Sequence, residues 1–312
     1  MASRGALHPI SRARAEALRP LLLDLDARLD RAARLAADPV ELPRRHRSPD
    51  DQEVAGLLAA SLAYGRADLF KPILVRLLDQ LGPSPARAVE AFARAPDPAA
   101  LAWFRYRFNR PADLAALLAA IGHLRLVHGS LGARFAALFG EAGGGPAALR
   151  PALAALAGEL RRAPPVRALL RGRGERGLRH LLPDAAGPGA AKRWNLYLRW
   201  MVRGPDAIDL GAWRGVPRSA LVIPLDTHVL RVSRCLGLTR RGDPSWRTAE
   251  EITASLRLVD PEDPVRFDFA LCHLGMSGAC PARRSPERCL ACPLAAACQG
   301  RAGGRSRRGA AR

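Results

Sequence analysis

Apolar residues recur at three- and four-residue spacing through most of the chain. Residues 15–36 (AEALRPLLLDLDARLDRAARLA) and 110–129 (RPADLAALLAAIGHLRLVHG) are examples, and the spacing places the apolar positions on one face of a helix. Helix starts are marked by a polar residue followed by proline and acids, at Ser48-Pro49-Asp50-Asp51, Arg110-Pro111-Ala112-Asp113 and Asp263-Pro264. Glycines at 82, 129 and 140 mark stops. Only Leu221 to Ile223 reads as strand, so the pattern predicts an all-α protein. Gly- and Pro-rich breaks fall at 140–146 and 184–190, and after Asp260 the chain turns Cys- and Pro-rich, with no internal repeat.

A chain of 312 residues can bury a full core without staples. No run nears the roughly 18 apolar residues of a membrane span, and the start lacks the apolar stretch of a secretion signal. The expectation is a cytoplasmic protein with no membrane contact. Formal charge is +20, from 49 basic against 29 acidic residues, which points to a polyanionic partner, nucleic acid first. Residues 301–312 (RAGGRSRRGAAR) form a basic tail expected to be disordered, but most of the arginines lie elsewhere. Only Lys71 and Lys192 are lysines. In a chain drifting toward arginine, a retained lysine is a candidate for chemistry that needs a removable proton, with chance survival as the alternative.

Cys280, Cys289, Cys292 and Cys298 form a C-x8-C-x2-C-x5-C run in a proline-rich segment. Disulfides do not suit a cytoplasmic chain. Zinc is usually held by two CxxC knuckles, whereas here one close pair is flanked by two single cysteines. Uneven short loops suit a 4Fe-4S cluster, with zinc as the alternative. Cys235 and Cys272 sit in apolar helical contexts and read as small buried hydrophobes.

The cysteine run resembles the Cys-x6-Cys-x2-Cys-x5-Cys loop of the endonuclease III and adenine glycosylase branch of the helix-hairpin-helix DNA glycosylases, two residues longer in its first gap. Residues 223–232 (IPLDTHVLRV), followed by Cys235-Leu236-Gly237-Leu238, resemble that superfamily's VDTHV-x-RV-x-x-RLGL segment, in which the aspartate is catalytic. From the residues alone, Asp226 also reads as the N-cap of a helix over 227–236. Leu181-Leu182-Pro183 and Gly187-Pro188-Gly189-Ala190-Ala191-Lys192-Arg193 resemble a stretched LPGVG-x-KTA hairpin, whose glycine turn meets a DNA phosphate. Lys192 precedes Asp226 by 34 positions, an interval closer to the archaeal 8-oxoguanine glycosylases; it is either the nucleophile or a phosphate-contacting surface lysine.

The block Lys192 to Arg203, with Asp209-Leu210-Gly211 and residues 263–271, resembles the domain-of-unknown-function 2400 family over about residues 40 to 275. Trp194, Tyr197 and Trp200 within it form either core or a stacking pocket for an extruded base. Tyr64-Gly65-Arg66 lies where endonuclease III has its duplex-inserting turn, and is either a wedge with a phosphate contact at Arg66 or a plain helix C-cap.

Together the resemblances imply an all-α, two-lobed glycosylase-like fold with a cleft between the lobes. Residues 1–48 are expected to pack with the C-terminal lobe, 49–204 to form a helical lobe ending in the hairpin, and 205–300 to carry the Asp226 helix and cluster loop. The implied function is base-excision DNA glycosylase, with AP lyase activity through a Lys192 Schiff base and Asp226 supporting it. The alternative is a non-catalytic iron-sulfur DNA- or RNA-binding protein of the same fold. The expected partner is damaged double-stranded DNA, contacted by Gly187, Gly189, Arg193, Thr227, His228, Arg231 and Arg66, and the protein is expected to be a monomer.

Overall fold

The computed structural model describes residues 6–171, 174–283 and 285–299; the basic tail lies outside them. Described secondary structure is helical, with α1 (Arg12–Arg28), α2 (Arg31–Leu35), α3 (Pro49–Leu62), α4 (Ala67–Leu81), α5 (Pro85–Arg94), α6 (Pro111–His128), α7 (Leu131–Glu141), α8 (Leu149–Arg162), α9 (Pro164–Leu169) and α10 (Arg176–Leu181), then α11 (Lys192–Val202), α12 (Thr227–Leu236), α13 (Trp246–Val259), α14 (Asp268–Met276) and α15 (Pro286–Ala291). Short 3-10 turns join them, and one isolated bridge pairs Tyr106 with Asn109. The contacts separate into two units: Arg31–Ala220, and the described residues of Met1–Asp30 with Leu221–Arg312. Residues 31–48 and 205–220 therefore belong with the helices between them.

In the Arg31–Ala220 unit α6 is apolar on nearly every side, and such a helix is stable only when surrounded. α5, α7, α8, α9 and α10 pack around it. Gly122 lets α5 approach closely, since a Cβ there would stand 1.9 Å from the Val89 carbonyl oxygen. The buried Glu53 carboxylate of α3 ties the core together. It accepts from Arg125 (2.6 Å), the Leu131 and Gly132 amides (2.9 and 2.8 Å) and the Trp213 indole (2.8 Å). Charge-assisted bonds on both oxygens offset the cost of burying the charge.

In the second unit α1 packs on α13 and α12 on α14. The start of the chain is fastened to α13 by Ile10 N–H on Ser255 Oγ (3.2 Å), while Arg14 donates to the carbonyls of Leu236 (3.0 Å) and Ala297. Leu221 to Ile223, read from sequence as strand, is an irregular buried run whose Ile223 N–H donates to Thr253 Oγ1 at 3.0 Å; no strand lies beside it among the described residues. The helix expected at Pro264 starts at Asp268, because residues 264–267 form a turn that buries Val265 and Phe267. Gly140 sits inside α7, whereas Gly82 and Gly129 do end helices, both at positive φ. No single described helix is long and apolar enough to cross a membrane.

Candidate functional site

Helix α12 starts at Thr227 because Asp226 caps it. Asp226 Oδ1 accepts from the His228 and Val229 amides at 2.9 and 2.8 Å, and the Cys272 thiol of α14 donates toward Oδ2 at 3.6 Å. The carboxylate is half-buried at the positive end of a ten-residue helix. α12 lies tight on α14 at Gly275, where a Cβ would come within 2.7 Å of His228 Cβ. Arg231, one turn along α12, donates through Nε to the Cys280 carbonyl (3.0 Å) and through Nη2 to the Gly275 carbonyl (2.8 Å), stapling the end of α14 to the start of the cysteine segment. His228 Nδ1 is 3.3 Å from the same Nη2, so two expected DNA contacts are engaged with one another.

Beyond α14 the segment 280–298 turns back on α12 and encloses a cavity of about 380 Å³. Cys280, Cys289, Cys292 and Cys298 all line it, with Val232, Leu236, Leu274 and Leu294 supplying apolar wall. Cys235 of α12 lines it too, its sulfur 3.9 Å from that of Cys280. The Cys235 thiol and the Arg231 guanidinium hold the Cys280 thiol below the ordinary thiol value, while burial pushes Cys292 up. The donor set is entirely sulfur, and the wall is apolar. Among the described residues no group of three or more His, Cys, Asp or Glu side chains converges as a single metal ion requires. All five of these thiols are free and line the same cavity.

On the outer side of α12, Thr227, Arg231, Arg234, Arg240 and Gln299 line a groove of about 550 Å³. Thr227, Arg234 and Arg240 are exposed there. Sequence reading had Thr227 and Arg231 but passed over Arg234, three residues on along α12 from Arg231, and Arg240, which lies beyond the end of the helix.

In the other unit the expected hairpin is α10, a loop over 182–191, and α11. Neither Gly187 nor Gly189 adopts positive φ; Ala191, the N-cap of α11, does, at φ 47°. Arg150 clamps the loop through the carbonyls of Ala185 (2.9 Å), Ala186 (3.2 Å) and Gly187 (2.7 Å), leaving Gly189 exposed. Lys192 opens α11, half-buried, within electrostatic reach of the Asp38 carboxyl, which burial pushes up against the pull of the Val40 amide, Arg199 and Lys192. Lys192 and Asp226 belong to different units.

Arg193 turns inward. It donates to the carbonyls of Ser61 (2.8 Å) and His180 and lies 5.4 Å from the Tyr64 ring centroid. Trp194, Tyr197 and Trp200 are core: each is at most 2% exposed, the Trp194 indole donates to the Pro183 carbonyl and the Tyr197 hydroxyl to the Glu53 carbonyl. They present no face to a base. Arg66 is exposed and paired with Asp68 at 2.6 Å.

The exposed aromatic ring is one that sequence reading missed. Phe108, 49% exposed, stands edge-on to His180 (4.5 Å between centroids), which stands edge-on to Tyr64 (4.4 Å). It belongs to Arg105-Tyr106-Arg107-Phe108-Asn109-Arg110, where alternating arginine and aromatic residues were the visible signal. All three arginines are exposed. Burial, with Arg193 and Arg107 nearby, pulls the His180 imidazole down to about 4, and its Nδ1 is buried with no hydrogen-bond partner among the described residues.

No curated protein matches the chain. One family profile does, over residues 38–277, a span holding Lys192, Asp226, Arg231 and the 105–110 loop and ending three positions before Cys280. Since that match covers most of the chain, the protein belongs to the family described as Protein of unknown function (DUF2400).

Proposed function

We propose that the protein is an iron-sulfur, DNA-binding base-excision enzyme of the helix-hairpin-helix glycosylase type, acting in the cytoplasm on damaged duplex DNA. One observation carries the reading: the four spaced cysteines line a single cavity whose floor is the very helix that Asp226 caps. The two strongest sequence signals, far apart in the chain, form one local structure. A 4Fe-4S cluster, held by Cys280, Cys289, Cys292 and Cys298, would lock segment 280–298 into shape. The Asp226 carboxylate, fixed by two amides, would stabilise positive charge developing on the deoxyribose, and the Lys192 amine is the proposed nucleophile at C1′, its bond forming as the base departs.

Anaerobically purified protein should contain about four iron and four sulfide per chain. A panel of duplexes, each with one damaged base, should yield at least one that is cleaved and trapped on Lys192 by borohydride. Zinc without iron removes the cluster, and binding without cleavage on every duplex removes the enzyme. A second reading, a cluster-bearing nucleic-acid binder without turnover, is favoured by the complete burial of Trp194, Tyr197 and Trp200 and the inward engagement of Arg193.

A further inference from the structure

The cavity has one thiol more than the cluster needs. Cys235 is not the buried spacer that its apolar helix suggested; it is half-exposed and faces the cavity beside Cys280, with Cys298 also in reach. It is also well positioned. α12 is capped by Asp226 at one end and by Gly237 in the left-handed conformation at the other, while the other four cysteines lie on a segment whose described helices are short, α15 and the 3-10 turn Ala295–Ala297. Two sulfurs bound to one tetrahedral metal at about 2.3 Å each stand about 3.8 Å apart, and the Cys235 and Cys280 sulfurs are 3.9 Å apart. They are spaced as two ligands of the same metal atom.

We propose that Cys235 is a metal-ligating sulfur of this site, interchangeable with Cys280; the inference rests on the cavity being a metal centre. Each iron of a 4Fe-4S cube takes three sulfides and one protein sulfur, so Cys235 and Cys280 compete for one corner. When Cys280 holds it, the Cys235 thiol donates to the Cys280 sulfur, a hydrogen bond of the kind that tunes such centres. When Cys280 is absent, Cys235 takes the corner. Cys235 interacts with Cys280 and Cys298, so Cys289 serves as the comparison.

The test is anaerobic reconstitution with ferrous iron and sulfide, reading iron per folded chain and the absorption near 400 nm. Cys280→Ala should keep about half or more of the wild-type iron, whereas Cys289→Ala and the Cys235→Ala/Cys280→Ala double variant should each lose about tenfold. Thermal melting by circular dichroism checks folding, and Cys280→Val, which keeps the bulk of the thiol, replaces Cys280→Ala if the latter does not fold. Equal loss in Cys280→Ala and Cys289→Ala overturns the assignment while leaving the cluster intact. If the wild type takes up no iron, the cluster reading falls and the same proteins are titrated with cadmium. A thiolate-to-cadmium band that Cys235→Ala diminishes then supports Cys235 as a ligand, and one that it leaves unchanged overturns it.

Discussion

Asp226 caps α12, and the proposed function gives it a second job with separable chemistry. The cap needs a side-chain oxygen, and asparagine caps about as well as aspartate. Stabilising a cationic sugar needs the negative charge. Asp226→Asn should therefore change unfolding stability by less than about 0.5 kcal/mol while turnover on a cleaved duplex falls by about two orders of magnitude or more. Loss of stability with retained turnover would make Asp226 a cap and nothing else. His180 gives a pH-dependent outcome. Its imidazole is held neutral to about 4 in the folded protein, below the ordinary value of about 6.5. For a depressed basic group the unfolded chain takes up the proton first, so stability is complete above about 6.5 and is lost as pH falls toward 4. His180→Gln should flatten the fall in melting temperature between those pH values; an unchanged slope assigns the acid sensitivity elsewhere. The cysteine run and Asp226 could be read from sequence because their signals are local. Cys235 and His180 could not, since each acquires its role from a partner at least 45 positions away in sequence, and at Phe108 the arginine–aromatic alternation is visible but the exposure is set by the fold. At Trp194, Tyr197 and Trp200 the sequence leaves both readings open, because three-residue spacing does not distinguish a core face from a stacking face, and burial decides for core.

At the scale of elements, the N-caps of α3 and α6 and the bounds of α12 follow from cap chemistry and periodicity, and the structure has them there. The late start of α14 was hidden because the proline signal at 264 is also compatible with a turn, and burial of Val265 and Phe267 decides for the turn. The apolar run at 221–223 has no strand to pair with among the described residues, so propensity yields to the helices around it. The hairpin carries a measurable strain. Ala191 occupies the left-handed region at about 1–2 kcal/mol cost for a residue with a Cβ. Ala191→Gly should leave stability level or raise it by up to about 1 kcal/mol, because relief of strain exceeds the added freedom of the unfolded chain. A loss larger than about 1 kcal/mol would show that the methyl group packs productively. Gly275→Ala should act in the opposite sense. The added methyl must displace His228, pushing α12 from α14, and overpacking of this kind costs about 1–3 kcal/mol. Because α12 floors the cysteine cavity, iron retention should fall together with the melting temperature.

For the whole molecule the charge of +20 overstates the binding surface, because many arginines are consumed inside the fold. Arg125 serves Glu53, Arg199 and Arg203 serve Asp209, Arg150 clamps the hairpin loop and Arg231 staples α14 to the cysteine segment. Two exposed groups remain distinct in the structure: Arg105, Arg107 and Arg110 around Phe108, and Arg234 with Arg240 beside Thr227. If the partner is duplex DNA, each phosphate contact displaces a counterion, and the slope of log affinity against log salt counts those contacts at about 0.9 each. Exchanging Arg105, Arg107 and Arg110 for alanine should lower that slope by about two to three, and exchanging Arg234 and Arg240 by about two. Arg150→Ala should leave the slope unchanged, yet lower the melting temperature by releasing three carbonyls of the hairpin loop. Phe108→Ala separates stacking from charge: it should weaken binding to single-stranded or gapped DNA with no change in slope, since a base stacked on an aromatic ring contributes about 1–3 kcal/mol without releasing ions. A wild-type affinity that is flat between about 50 and 200 mM salt would remove nucleic acid as the partner. A slope lowered by Arg150→Ala as much as by the surface variants would instead mean that the contacts depend on global folding, and the two patches would lose their assignment.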